Sequence, residues 1–148
     1  MKANYLKLLV QITAGGIALL GLAFPHLAFA QFTGDNQTNI IDGTSLNWTG
    51  NYYIGSNYVF NSLFIVNGGS LSNAYAYIGR ESGSNSNVVT VSGNGSRWSS
   101  SQSIYVGYEG SDNRLVINDG GSVQSPQSSV VVGSQNTSLS NRYKCSEV

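Results

Sequence analysis

The side chains in this sequence best suited to chemistry are the acids Asp112 and Asp119, the cysteine Cys145, and the regularly spaced tyrosines Tyr53, Tyr77 and Tyr105. Paired carboxylates are the acid and base of many polysaccharide-cleaving proteins, which makes Asp112 and Asp119, seven residues apart, the best candidate pair. No basic residue recurs beside them, and nothing in their spacing puts them on one strand face. The single histidine, His26, lies in the N-terminal apolar region, so the chain beyond residue 30 has no imidazole for a Ser-His-Asp or Cys-His arrangement. Zinc lacks ligands for the same reason. Calcium-binding nonapeptide repeats need Asp at a fixed place after the glycines, and neither Gly68-Gly69-Ser70-Leu71 nor Gly120-Gly121-Ser122-Val123 supplies it. The residue types therefore point away from an enzyme: no catalytic residue, no cofactor and no metal site is expected.

What the tyrosines do depends on the elements that carry them, and those elements repeat. Leu63-Phe64-Ile65, Val89-Thr90-Val91 and Leu115-Val116-Ile117 follow one another at a constant interval. A second motif, Ile54-Gly55, Ile78-Gly79, Val106-Gly107 and Val132-Gly133, keeps nearly the same interval, slightly short at its first step and slightly long at its second. Between the two lie glycine turns such as Asn67-Gly68-Gly69-Ser70 and Asp119-Gly120-Gly121-Ser122, where Gly and Asn suit the positive φ of a sharp corner. Each unit reads as strand, corner, strand, corner. Homologous strands at one fixed period pack most simply above one another, in ladders about 4.8 Å apart. The expected fold is all-β: a parallel β-helix, or β-solenoid, with coils of about 26 residues.

The inward ladders predicted from this register are Leu63/Val89/Leu115, Ile65/Val91/Ile117, Ala76/Ile104/Val130 and Ile78/Val106/Val132, with the corner residues Leu71, Trp98 and Val123 closing the core. Alternation along a strand then turns Tyr53, Tyr77 and Tyr105 outward on three successive coils. Such a ladder serves either as an aromatic strip for a carbohydrate or protein partner or as cross-strand stacking worth up to about 1 kcal/mol per pair. Val131 interrupts the strip in the fourth coil, which favours the stacking role. The neighbouring outward positions Phe64, Thr90 and Val116 are mixed, so no regular Thr or Ser ladder of an ice-binding face is present.

Composition agrees with an exported β-protein. Charged residues are only 9% of the chain, with 18 Gly among many Ser and Asn. Residues 1–30 have the layout of a secretory signal peptide: Lys2 and Lys7, an apolar run from Leu8 to Phe24, and Ala28-Phe29-Ala30 before Gln31. Cleavage after Ala30 would leave five basic residues against seven acidic ones, a net charge of −2 that is no footprint for nucleic acid, and no membrane span. Cys145 would have no internal disulfide partner. The organisation expected is a signal peptide over 1–30, an N-terminal cap segment over 31–48, solenoid repeats over 49–135 and an atypical tail over 136–148.

The run Val89-Thr90-Val91-Ser92-Gly93-Asn94-Gly95-Ser96-Arg97-Trp98, then Ile104-Tyr105-Val106-Gly107, then Leu115-Val116-Ile117-Asn118-Asp119-Gly120-Gly121-Ser122-Val123 resembles the repeat of type V secretion autotransporter passengers and PEP-CTERM surface proteins. The likeness spans roughly residues 44 to 135. It implies an exported β-helical passenger with adhesive roles on a Gram-negative envelope, and it carries over no functional residue. Residues 141–148 lack the apolar alternation and glycine corner of a further coil, so the tail reads as a truncated or frameshifted end that leaves a strand edge near Val130 to Gly133 open to pairing with other chains. The leading expectation is a secreted or cell-surface structural and adhesive module with an unidentified surface partner. The alternative is a glycan-binding, less readily a glycan-cleaving, β-helix that uses Tyr53, Tyr77 and Tyr105 as its platform.

Overall fold

The computed structural model describes residues 12–13, 16–17, 31–135 and 138–145. The segment expected to be a signal peptide, with its expected cleavage point, lies outside the described residues, apart from Ile12–Thr13 and Gly16–Ile17, two short strands that pair antiparallel with each other, the second also pairing parallel with the solenoid at Thr38. Among the described residues no helix is long and apolar enough to cross a membrane.

From residue 38 the chain is a β-solenoid of parallel sheets, as the repeat interval predicts. The first face stacks Thr38–Asp42, Ser62–Val66, Val88–Ser92, Arg114–Asn118 and Arg142–Cys145, with Gly16–Ile17 and then Ile12–Thr13 continuing the same sheet below Thr38–Asp42. The second stacks Ser45–Asn47, Ser70–Asn73, Arg97–Ser100 and Ser122–Gln124, and the third Tyr52–Ile54, Ala76–Ile78, Ile104–Val106 and Val130–Val132. The predicted register holds residue by residue: Leu63 pairs with Val89 and Val89 with Leu115, while Ile78 pairs with Val106 and Val106 with Val132.

Each coil has three strands where the repeat suggests two. Leu71, Trp98 and Val123 are not corner residues but the second members of the short strands on the second face. The glycine turn explains the difference. Asn67 and Gly68 at φ 52° and 79°, like Asp119 and Gly120 at 50° and 79°, complete the corner in two left-handed residues, which leaves the next residue free to extend. That residue's N–H closes the turn, Gly69 N on Val66 O and Gly121 N on Asn118 O, and the one after it reaches the coil below, as Ser70 N donates to Thr44 O at 2.8 Å and Ser122 N to Ser96 O at 2.9 Å. A strand of three or four residues rich in Ser and Asn offers too few apolar positions for alternation to reveal it.

Two boundaries also move. The stack begins inside the expected cap segment, because Thr38–Asp42 pairs in register with Ser62–Val66 and Ser45–Asn47 with Ser70–Ser72. Of residues 31–48 only 31–37 precede the strand Thr38–Asp42, and among them Phe32 is buried in the core. At the other end, Arg142–Cys145 is a parallel strand on Arg114–Ile117, so the atypical tail opens a fifth coil despite its polar sequence. Backbone pairing holds it, since all four of its residues are exposed.

The core is a single column of Leu, Ile and Val from the predicted ladders, widened by Tyr52, Leu71 and Trp98, all fully buried. The indole of Trp98 donates to Asn73 Oδ1 at 2.7 Å, which satisfies its one donor inside the core. Val130 and Val132 depart from expectation. They keep the register but are 37% and 42% exposed, because no described strand lies on the far side of them, whereas Ile104 and Val106 one coil earlier are fully buried.

A buried polar column runs along the corner between the third and first faces. Gln37 N donates to Asn61 Oδ1 (2.8 Å), Asn61 N to Asn87 Oδ1 (3.0 Å), Asn87 N to Asn113 Oδ1 (2.9 Å) and Asn113 N to Asn141 Oδ1 (2.8 Å). The side-chain amides of the last three also donate to a carbonyl of the loop below: Asn87 to Tyr58 O, Asn113 to Ser84 O and Asn141 to Gly110 O. The glycines of the second motif make room for these side chains. A Cβ on Gly55, Gly79 or Gly107 would overlap Asn87, Asn113 or Asn141 respectively, and all three glycines sit at φ between 72° and 75°. The glycine and the asparagine one coil on are thus two halves of one joint.

Candidate functional site

The third face projects the tyrosines. In Tyr52–Ile54, Ala76–Ile78 and Ile104–Val106 the outer residues are buried and the central tyrosine is turned out and half-buried. The strands pair Tyr53 with Tyr77 and Tyr77 with Tyr105. Their rings lie nearly parallel at centroid distances of 5.3 and 5.1 Å, with interplanar angles of 14° and 13°. The ladder read from alternation is therefore in place, and Val131 follows in register in the fourth coil.

The structure adds a second tier to this ladder. Ser56, Arg80, Tyr108 and Ser134 each stand two residues beyond the end of a third-face strand. Arg80 N donates to Gly55 O, Tyr108 N to Gly79 O and Ser134 N to Gly107 O, so these residues stack as a column of their own. Each large member leans back over two tyrosines. The Arg80 guanidinium lies 5.4 Å from the centre of the Tyr53 ring and 5.8 Å from that of Tyr77. The Tyr108 ring meets Tyr77 and Tyr105 edge-on, at 5.7 and 5.2 Å. Tyr75 approaches Tyr77 from the preceding corner at 6.3 Å and is 36% exposed.

This enclosure has an electrostatic consequence. Burial, and next to it the neighbouring phenols of Tyr105 and Tyr53, push the Tyr77 hydroxyl above its ordinary range, against an opposing contribution from Arg80. Tyr77 stays a neutral phenol at physiological pH, able to donate or accept a hydrogen bond. Arg80 is itself paired with Glu81 at 3.6 Å, on the exposed side.

As a sugar platform the arrangement is only partly suitable. Stacking against a pyranose needs an open ring face, and Tyr77 lies between the rings of Tyr53 and Tyr105, with Arg80 over Tyr53 and Tyr77. Alternation revealed Tyr53, Tyr77 and Tyr105; it missed Arg80, Tyr108 and Tyr75. The signal available was the recurrence of Tyr-Ile-Gly-Arg at 77–80 and Tyr-Val-Gly-Tyr at 105–108, whose last positions align when the glycines are superposed.

The acidic pair is not brought together. Asp112 and Asp119 stand beyond opposite ends of the strand Arg114–Asn118, both at left-handed corner positions with φ 56° and 50°. The extended chain of that strand separates them by about 17 Å, at a rise of about 3.4 Å per residue, well past the roughly 5 to 9.5 Å between the carboxyl groups of glycosidases. Asp119 instead accepts the Ser92 hydroxyl at 2.9 Å, a rung-to-rung bond. Cys145 is exposed and unpaired on the last described strand. Among the described residues no group of three or more His, Cys, Asp and Glu is placed to hold a metal ion.

No protein-family model, curated protein or solved structure matches the chain.

Proposed function

We propose that this chain is an exported, cell-surface or secreted repeat module with a structural and adhesive role, part of an autotransporter-type passenger. The observation that carries this reading is the unbroken register of the stack. Polar positions of one coil bond to the same positions of the next, through Asn61, Asn87, Asn113 and Asn141 inside and Asn47–Ser72 and Asp42–Asn67 outside. Such a stack is a stiff spacer that lengthens by whole coils, and its outer faces present repeated small polar groups to a partner. The repeat sequence and the apolar N-terminal stretch supply the export part of the reading. Its test is expression of the full chain with a C-terminal epitope in a Gram-negative host. Recovery of a shortened product outside the inner membrane, together with increased attachment of the producing cells to host or abiotic surfaces, is expected. Full-length product retained in the cytoplasm overturns it.

A second reading, a glycan-binding β-solenoid, draws on the clustering of Tyr53, Tyr75, Tyr77, Tyr105 and Tyr108 with Arg80 on one face. The covered ring faces weigh against sugar stacking and leave hydrogen bonding along the phenol edge as the mode of contact. A glycan array distinguishes the two: binding lost in Tyr77→Ala supports this second reading, and no binding supports the first.

A further inference from the structure

We propose that Tyr77 and Tyr105 are an oxidative cross-linking site, at which hydrogen peroxide, acting through a one-electron oxidant, joins two successive coils by a covalent bond between the phenol rings. The pair stands in the middle of the third face, where Tyr52–Ile54 pairs with the strand of Tyr77 and Val130–Val132 with that of Tyr105. Both rings are half-buried, and so within reach of an oxidant in solution.

In a parallel ladder in register, equivalent atoms of neighbouring side chains are separated by about the rung spacing of 4.8 Å. Tyr77 and Tyr105 keep to this: their backbones pair, their ring centroids are 5.1 Å apart, and their planes differ by 13°. Each ring therefore sets its ortho carbons opposite those of the other. These carbons flank the hydroxyl at the far end of the side chain, where opposite rotations within the rotamer wells move them most. They also carry, with the oxygen, the unpaired electron of a phenoxyl radical. Each phenol gives up one electron and its hydroxyl proton, the two radicals form a carbon–carbon bond between ortho positions, and the hydrogens displaced there return to the oxygens. Hydrogen peroxide takes up the two electrons and two protons and becomes two molecules of water.

The surroundings select this pair over its neighbours. Tyr53 and Tyr77 also stack, at 5.3 Å, but the Arg80 guanidinium lies over both rings, and its positive charge opposes withdrawal of an electron. Tyr105 is the member of the ladder over which Arg80 does not lie, so it is oxidised first. Its tyrosine partner in register is Tyr77, since Val131 follows on the other side. Tyr108 meets Tyr105 at 86° between planes, which aims an edge at a ring face instead of ortho carbon at ortho carbon. The link closes a loop in the unfolded chain and so holds the stack together as a disulfide would. It requires neither export of the chain nor a sugar ligand.

The test treats the full chain, dilute enough to disfavour links between molecules, with a haem peroxidase and hydrogen peroxide. A monomer lighter by two hydrogens, with the blue fluorescence of dityrosine, is expected. Trypsin, which cuts after Arg80, Arg97 and Arg114, should then leave the peptide ending at Arg80 joined to residues 98–114. A Tyr53–Tyr77 or Tyr105–Tyr108 link would instead stay within one peptide. Tyr77→Phe and Tyr105→Phe should each lower the joined product by about tenfold or more, because coupling depends on two phenols held in place. Tyr58→Phe should leave it unchanged, and concentrated urea, which separates the rings, should lower it. The cross-linked monomer should unfold at higher urea than either the untreated chain or the treated Tyr77→Phe variant. Links confined to one peptide, links only between molecules, or a joined product indifferent to Tyr77→Phe or to urea overturn the proposal.

Discussion

At the scale of single residues, the asparagine column is the feature on which the stack most depends. Asn113, itself fully buried, accepts two hydrogen bonds from Asn87 and donates to Ser84 O and Ser111 O, all between 2.9 and 3.1 Å. Asn113→Ala strands these partners, and a loss of about 2 to 4 kcal/mol is expected from urea denaturation. Asn113→Asp preserves shape but presents a buried carboxylate to two carbonyls. Its pKa should be raised, so more protons bind to the folded than to the unfolded state, and this variant should gain stability as pH falls. Tyr52 gives the opposite end of the pH scale. Burial pushes its phenol from 10.0 up to about 12, against a smaller opposing effect of Asn39. A folded pKa above the unfolded one means that the contribution is complete below pH 10.0 and lost as pH rises toward about 12. Stability should fall by roughly 2 to 3 kcal/mol across that window, and Tyr52→Phe should remove this component of the denaturation midpoint's pH dependence. Of these residues the sequence displayed all but the reason. Asn61, Asn87, Asn113 and Asn141 recur once per coil, yet asparagine is so common in this chain's corners that the column is hidden among turn residues.

At the scale of elements, the third-face strands separate stacking from recognition. Tyr77 touches Tyr53, Tyr105, Tyr75, Tyr108 and Arg80, so Tyr77→Ala removes the centre of both tiers. A loss of about 1 to 3 kcal/mol is expected. Tyr77→Phe keeps every ring contact and should lie within about 0.5 kcal/mol of the parent protein. Thermal unfolding of the pair, set beside the glycan array, shows whether the hydroxyl has any use that the ring does not. The first- and third-face strands were legible because Leu63, Ile65, Ile78 and their successors alternate with outward residues at a constant period. The second-face strands were not, since Ser70–Asn73 and Arg97–Ser100 each bury one large apolar side chain and one polar residue. A single apolar position has no period, and only backbone pairing to the coils on either side makes such a segment a strand.

At the scale of the molecule, each coil touches only the next, so stability is close to a sum over neighbouring interfaces and should fall toward an open end. Among the described residues the two ends differ: Phe32 and Trp48 pack on the core at the base, whereas Val130 and Val132 are exposed at the other end. Native-state hydrogen exchange should therefore find the amides of Val130–Val132 and Arg142–Cys145 exchanging at least about tenfold faster than those of Ile104–Val106, with protection greatest in the middle coils. The tail belongs to this scale as well. Residues 142–145 carry no apolar pattern, and they become a strand because Arg114–Ile117 offers an unpaired edge and Asn141 enters the joint at Gly107. By itself the sequence determined the class of fold, the register of the coils, the inward ladders and the outward tyrosines, because each follows from local alternation repeated at a fixed interval. Tertiary structure alone decided the third strand of each coil, the fit of asparagine to glycine between coils, the cover of Arg80 and Tyr108 over the tyrosines, and the separation of Asp112 from Asp119. These depend on which residues meet across rungs a whole coil apart in the chain, and no local pattern encodes that distance.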